Sequence, residues 1–491
     1  MRFNKALIFS FLFFAASVGQ SQEYKSVKGW KYLPKDEAFW ETLSDLNSKA
    51  NPADTLDFVL GRISAKSDLT MVSGAEQYLA FADTLQSLAL PQASFHIYLQ
   101  VLKNHPGSAM AQKALLEIDK LLQSGSFDEG ELSRVINQAA FVEVPEGLEN
   151  MLYFYTATDD MKKGLYRWAE KGTQKISETG YWGYRFKYFK ALEQYRSGQL
   201  AVAEQELKTL SEQKDMQASL LWRIQLQRAR IFIERNEFEK AEATYTAQEF
   251  PGRLYGRVLL ERAWGKYYQR DFSSALGLLE SLKAPAFRIF SNPEQTILAM
   301  LIYREICYYP EVVRLSAEFR NSYQRTYDLI KKGKALTESP ALMWMTLQKP
   351  VFRDVADVID AVQKEQVVAK NVFKSYQKSP AVIAVMKAYE GNERELRGRV
   401  EHAMQADLRR QADGFLASWD QVKLLEYISK LDEYRIKQVF EERTYEAAKA
   451  DTRSFDVLYW PVSGEYWREE FKSYRMILSD RCEAPGKRGT R

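Results

Sequence analysis

An all-α fold, built largely from repeated helix pairs, is what this sequence predicts, and three observations carry it. A unit with two small residues on either side of a short polar turn recurs through the middle of the chain. Long proline-poor stretches with apolar residues at helical spacing follow it. The composition, 46% hydrophobic, 27% charged and 13% aromatic over 491 residues, is that of an ordinary packed protein. At roughly 100–200 residues per domain the length suggests three domains, although a repeat array reaches this size as one continuous body.

The N-terminus reads as an export signal. Arg2 and Lys5 precede the apolar run Ala6 to Ala16, and the small residues Ser17 and Gly19 precede the polar stretch Gln20 to Glu23. That is the charged, apolar, small-residue order of a secretory signal peptide. The run is short of the ~20 residues a membrane span needs, so cleavage after Gly19 or Ser21 is expected, with an uncleaved anchor as the alternative. Removing residues 1–19 takes away two positive charges, leaving 67 basic against 65 acidic side chains. No later segment approaches 18 uninterrupted apolar residues, so no membrane span is expected after cleavage, and the expected compartment is a bacterial periplasm. Residues 20–74 are expected to hold capping helices.

The clearest repeat unit is Ala191 to Ala203, with Gly198 in its turn. It recurs from Ala229 to Ala241 around Asn236, and from Ala263 to Ala275 around Arg270. Small side chains let neighbouring helices approach closely, and Gly or Asn tolerates the left-handed backbone of a helix end. Following the second small position gives Ser94, Gly130, Gly164, Ala203, Ala241, Ala275 and Val312, at spacings of 36, 34, 39, 38, 34 and 37 residues. This resembles the tetratricopeptide repeat, whose period is about 34 residues. The first unit matches over most of its length through Phe81, Ala82, Leu85, Ser94, Tyr98, Val101 and Pro106. The third, around Tyr153, Gly164 and Trp168, and the seventh, around Tyr303, Tyr309 and Val312, are degenerate. The resemblance implies a right-handed solenoid of about seven hairpins over residues 75–325. The alternative is a non-repetitive helical bundle with regularly placed small residues.

From 326 to 455 long helices are expected. Leu396, Val400, Met404, Leu408, Phe415, Val422 and Leu425 recur at steps of three, four or seven, on one helical stripe. A helical hairpin packed on the array is favoured over a dimerising coiled coil, which Gly398 and Gly414 would interrupt; one extended helix is the other possibility. Residues 456–483, with Tyr459, Trp460, Tyr466, Trp467 and Phe471, read as an aromatic cap on the open end of the solenoid. That closing segment is similar to those of exported tetratricopeptide-repeat proteins of Gram-negative bacteria, some linked to envelope motility machinery. Residues 484–491 are polar and basic and read as a disordered tail.

The charge balance shows no basic excess for nucleic acid. No phosphate loop, nucleophile elbow or His-Glu metal helix occurs, and three histidines (His96, His105, His402) with two cysteines do not make a zinc cluster. Neither catalysis nor a cofactor is expected. Cys307 and Cys482 could form a disulfide in an exported chain, but with 175 residues between them two free thiols are the favoured expectation.

In the repeat resemblance the first helix of each pair lines a concave surface. Projected onto this chain, those positions hold Arg185, Tyr188, Tyr195, Arg223, Arg230, Arg257, Trp264, Tyr267 and Arg304 in the middle units. The first units place Glu76, Asp83, Asp119, Glu146, Glu149 and Tyr153 there. Arginine beside aromatic rings suits an acidic peptide segment of a partner protein. The expected function is therefore protein–protein scaffolding in the cell envelope, in the periplasm and peripheral to the outer membrane. The competing class is glycan recognition: Gly180 to Lys190 is dense in aromatics, and peptidoglycan is the glycan at hand. A third reading is a permanent structural component of a larger envelope complex.

Overall fold

The structure is a computed structural model that describes residues 24–48, 52–63, 72–141, 143–287, 292–347, 349–439, 466–467, 470–478 and 482. The N-terminal segment read as an export signal, the basic tail and the Tyr459–Trp460 part of the aromatic segment lie outside the described residues. The expected all-α class holds: nineteen α-helices, two short 3-10 helices and one pair of three-residue strands make up the regular structure of the described residues. The chain divides into two compact units, residues up to 183 with 364–389, and residues 184–363 with those from 390 onward.

The first unit holds α1 (Glu37–Ser48), α2 (Pro52–Arg62), α3 (Val72–Ser87), α4 (Pro91–Asn104), α5 (Ala109–Ser124), α6 (Glu129–Gln138), α7 (Glu149–Lys162) and α8 (Tyr166–Thr173). Strands β1 (Lys25–Val27) and β2 (Glu143–Pro145) pair in parallel, Lys25 opposite Glu143. The second unit holds most of α9 (Gly180–Arg196), then α10 (Leu200–Ser211), α11 (Ala218–Glu234), α12 (Phe238–Ala247), α13 (Gly252–Tyr268), α14 (Phe272–Ser281), α15 (Pro293–Glu305), α16 (Tyr309–Lys331) and α17 (Pro340–Leu347). Two longer helices, α18 (Pro350–Val372) and α19 (Pro380–Val439), contribute to both units.

One junction is made six times. At the ends of α3, α7, α9, α11, α13 and α15 a single residue takes a left-handed backbone: Ala89, Gly164, Gly198, Asn236, Arg270 and Cys307. The next residue's N–H reaches back five positions in each case, as in Leu90 to Leu85, Gln199 to Gln194, Glu237 to Phe232 and Asp271 to Lys266. This is the Schellman pattern, which satisfies the last carbonyls of the first helix and starts the second at once. The fourth residue of each second helix is then buried: Ser94, Ala169, Ala203, Ala241, Ala275 and Val312. Two of the expected equivalences need correction. Gly164 is the turn residue, and Ala169 fills the packed position of its unit. Gly130 is an exposed residue in the first turn of α6, whose buried fourth residue is Leu132.

The stripe on the long helix is buried as expected, with Leu396, Met404, Leu408, Phe415, Val422 and Leu425 all inside. Among the described residues the favoured hairpin gives way to the extended-helix alternative: α19 is one continuous helix through Val439. A Cβ added at Gly398 or Gly414 would meet only open space, so a missing side chain there disturbs no packing. Within the second unit the stripe packs on α15 and α16, where Phe319, Tyr323, Phe415 and Trp419 share one core.

Within the first unit α4 begins without a local cap. Leu90 offers no side-chain acceptor and Pro91 follows it. Glu365 supplies the missing group: Gln92 N–H donates to its Oε2 at 2.8 Å, Ala93 N–H to its Oε1 at 2.9 Å, and the Tyr389 hydroxyl to Oε1 at 2.6 Å. Carboxylates favour helix N-termini because the first N–H groups are unpaired and the helix dipole is positive there. Glu365→Ala is therefore expected to destabilise this unit by about 2 kcal/mol, since three buried donors lose their acceptor. Urea titration followed by circular dichroism measures it; an unchanged midpoint would remove Glu365 from this role.

Candidate functional site

The sequence-predicted row lies on the first helices of successive pairs, all in the second unit. Tyr188 and Tyr195 stand on α9, Arg223 and Arg230 on α11, Arg257, Trp264 and Tyr267 on α13, and Arg304 on α15. Helical periodicity brings positions three, four and seven apart onto one face, which is why these residues of different helices meet.

The row is bound together by the chain's own carboxylates. Glu261 of α13 sits between two guanidinium groups: Arg230 Nη2 donates to Oε1 at 2.8 Å and Nε to Oε2 at 3.0 Å, while Arg257 Nε donates to Oε1 at 2.8 Å. The Tyr245 hydroxyl adds a third donor at 2.9 Å. Burial alone would raise the Glu261 pKa; the two arginines outweigh it and hold the carboxyl below its usual range. Burial and the adjacent Glu261 charge push the Tyr245 phenol well up, so it stays a donor. Glu234 accepts from the Tyr195 hydroxyl. Burial raises the pKa of Tyr188, against the pull of Arg223 and Arg230.

The outer two arginines meet the long helices. Arg223 pairs with Asp354 of α18 through Nη2–Oδ1 at 3.1 Å, and Arg304 with Asp432 of α19 through Nη2–Oδ2 at 3.3 Å. These pairs are partly open to solvent, with side chains 36% exposed at Arg223, 46% at Asp354, 37% at Arg304 and 24% at Asp432. Arg185 is half-buried on α9 and has a partner of its own. Trp264 and Tyr267 are half-buried and meet edge to face at 5.8 Å. None of the four partner carboxylates was named from sequence. Glu261 had a local signal, standing four residues after Arg257 on one helix; Asp354 and Asp432 lie 131 and 128 residues from their arginines and had none.

Three of the five acidic residues projected onto the first units are likewise engaged through their carboxylates. Glu76 accepts from the Tyr32 hydroxyl and the Lys35 amide, and Asp83 from Tyr98 and Lys113, each at 2.5 Å. Asp119 accepts from Trp182 Nε1 at 2.7 Å and from Gln123. Tyr153 accepts from the Tyr24 amide, and Glu149 keeps one buried carboxylate oxygen without a hydrogen bond. Glu146 is exposed, and its amide donates to Val27. In the aromatic run 180–190, Trp182, Tyr184 and Phe186 are buried. Trp182 packs on Phe154 and Tyr155 in the first unit, and Tyr184 and Tyr188 pack in a core of the second.

The expectation of two free thiols is overturned. Cys307 and Cys482 form a disulfide, with Cα atoms 5.1 Å apart. The left-handed turn after α15 presents Cys307 to the C-terminal segment, a proximity that residues 175 apart in sequence could not reveal.

Burial lowers the pKa of His96, and His402 is exposed on α19. Among the described residues no three His, Cys, Asp or Glu side chains gather as metal ligands, and no helix is long and apolar enough to cross a membrane. Fold and site together define an all-α protein of helical-repeat-like pairs with an internally neutralised arginine row. The chain matches no protein-family model and no curated protein.

Proposed function

We propose that this chain is an exported, tetratricopeptide-like scaffold that binds an acidic segment of a partner protein on the concave face implied for its first helices. In this reading it is a non-catalytic, cofactor-free component of the envelope of a Gram-negative bacterium, periplasmic or peripheral to the outer membrane and linked to an assembly such as the motility machinery. The observation that carries the reading is the sixfold recurrence of one helix–turn–helix junction with a buried fourth residue, because stacked hairpins are binding surfaces before they are anything else. The Cys307–Cys482 disulfide supports an oxidising compartment.

Within that reading the nine residues divide by role. Arg230 and Arg257 are committed to Glu261 and shape the row. Arg223 and Arg304 are the exchangeable cations: the Arg223–Asp354 pair is solvent-exposed, where such pairs contribute only about 0–1 kcal/mol, and the Arg304–Asp432 pair is partly exposed, so an incoming carboxylate can replace them. Arg185, Tyr188, Tyr195, Trp264 and Tyr267 supply the remaining contact surface. Peptidoglycan binding is less well supported, because Trp182, Tyr184 and Phe186, three of the six rings in the run that suggested sugar stacking, are buried.

The joint substitution Arg223→Ala and Arg304→Ala should weaken partner capture from envelope extracts roughly tenfold or more while leaving thermal unfolding within a degree or two. Capture that survives both changes refutes the arginine row as the contact. A parallel arm with purified sacculi separates the readings, since retention there alone would favour the glycan.

A further inference from the structure

The C-terminal segment lies on the second unit as a bound peptide would. A single turn at 470–473 leads into irregular chain at 474–478, against α13 and α14. Its main chain is gripped at four points. Ser281 Oγ donates to the Phe471 carbonyl at 3.0 Å and Arg262 Nη2 to the Lys472 carbonyl at 3.1 Å. Ser273 Oγ donates to the Met476 carbonyl at 2.6 Å, and the Met476 amide returns a bond to the Ser273 carbonyl at 3.1 Å. Arg262 is itself held by Glu242, at 2.6 and 3.0 Å.

Gly277 of α14 makes room for the segment: a Cβ there would come within 1.8 Å of the Tyr474 carbonyl oxygen. Phe471 and Tyr474 are buried in the core formed by Leu259, Leu260, Ala275, Leu278 and Leu298, with Met476 and Leu478 packed beside them. Main-chain bonds supply affinity without regard to sequence, and side-chain pockets supply selectivity; that division of labour is how proteins bind peptides. The disulfide ties the segment's far end, Cys482, to the turn after α15. Cys482 is exposed and Cys307 half-buried, within reach of a soluble thiol.

We propose that the α13–α14 face is a peptide-binding surface closed in cis by residues 471–478, latched by Cys307–Cys482, and opened by a dithiol reductant to a partner's peptide. The peptide it fits is non-helical, with two aromatic side chains three residues apart and an apolar side chain two residues further on, the chemistry of Phe471, Tyr474 and Met476. This goes beyond the arginine-row reading and does not depend on it. In the opening step the Sγ–Sγ bond breaks, two electrons and two protons pass from the dithiol to the two cysteines, and the dithiol leaves as its own disulfide. The strap is then held without a covalent tie, by its main-chain bonds, the two buried rings and the packing of Met476 and Leu478.

The test uses the full chain and a fluorescein-labelled synthetic peptide of residues 466–478 as probe. A tethered strap competes at millimolar effective concentration, so the receptive form is the reduced chain carrying Phe471→Ala and Tyr474→Ala. That form should bind the probe at least roughly tenfold more tightly than oxidised wild type does. Equal binding by the two, or no binding by a reduced double variant with native circular dichroism, overturns the proposal. In the unmodified protein, hydrogen exchange at the Met476 amide should accelerate roughly tenfold on adding dithiothreitol while the α13 amides hold. Unchanged Met476 protection removes the latch. A dimer formed on reoxidation, with Cys307 of one copy bridged to Cys482 of another, would also overturn the assignment, because a second copy would then be the occupant.

Discussion

Glu261→Ala is expected to lower the stability of the second unit by about 3 kcal/mol, the low end of what removing one partner from a buried ion pair costs. The substitution leaves Arg230 and Arg257 facing one another and strands the Tyr245 hydroxyl. The figure is at the low end because the three side chains keep 20–35% of their surface in water, which screens the repulsion. The midpoint of urea unfolding followed by tryptophan fluorescence measures the loss. Glu261→Gln adds a pH dependence whose sign is fixed. Glu261 titrates lower in the folded chain than in the unfolded one, so its contribution is fully present above the unfolded value of about 4.3 and is lost as the pH falls through the folded value. The gap between wild type and Glu261→Gln should therefore be widest near neutrality and narrow steadily below about pH 4.3. A gap independent of pH would mean that the carboxylate charge is not what holds the row together.

Gly277→Val should dislodge the C-terminal segment while sparing α14. The added Cβ would come within 1.8 Å of the Tyr474 carbonyl oxygen and 2.7 Å of the Arg475 nitrogen, both main-chain atoms with no rotamer to move away. Within the helix valine is no worse than glycine, so the strain falls on the strap. Burial of a ring such as Phe471 or Tyr474 is worth roughly 1.5–3 kcal/mol each, partly offset by the freedom the segment regains, for a net loss of about 3 kcal/mol. Lys472 and Arg475 carry the trypsin sites of the strap, which makes its release easy to read. The variant should be cut there much faster than wild type. After cleavage the terminal fragment should stay attached until the Cys307–Cys482 bond is reduced. Equal cutting of the two proteins would show that strap and glycine do not compete for the same space.

Features with a local physical cause were readable in the sequence. The apolar stripe from Leu396 to Leu425 is a period in one helix, and the alanines at 203, 241 and 275 are small wherever two helices cross closely; all of them are buried except Val400, which is half-buried. Register between small residues was harder. Gly164 and Ala169 are both small and five apart, and composition alone does not say which one turns the chain and which one packs. The left-handed turns were only half visible, because Ala89, Arg270 and Cys307 carry no mark of the conformation they adopt. A non-glycine residue there costs roughly 1–2 kcal/mol, which the packing of the two flanking helices outweighs. The arginine row illustrates the larger limit. Residues that project from first helices could be named from spacing, but their pairing with Asp354 and Asp432 depends on which distant helices are brought alongside. The long helix makes the same point: Gly398 and Gly414 looked like interruptions, yet no neighbouring side chain is needed at either place.

The acceptor that completes α4 arrives late in the life of the chain. Glu365 follows Gln92 by 273 residues, so while the polypeptide emerges from N- to C-terminus the first turn of α4 has only water to answer its N–H groups. The first unit becomes whole once residues 364–389 have appeared, after nearly four-fifths of the chain has been made. A nascent chain halted before that point would carry α3 to α8 in a less stable form, ready for proteases and for the chaperones that escort unfinished polypeptides. Synthesis order thus gives the long helices a second role, as the closing piece of a body that began hundreds of residues earlier.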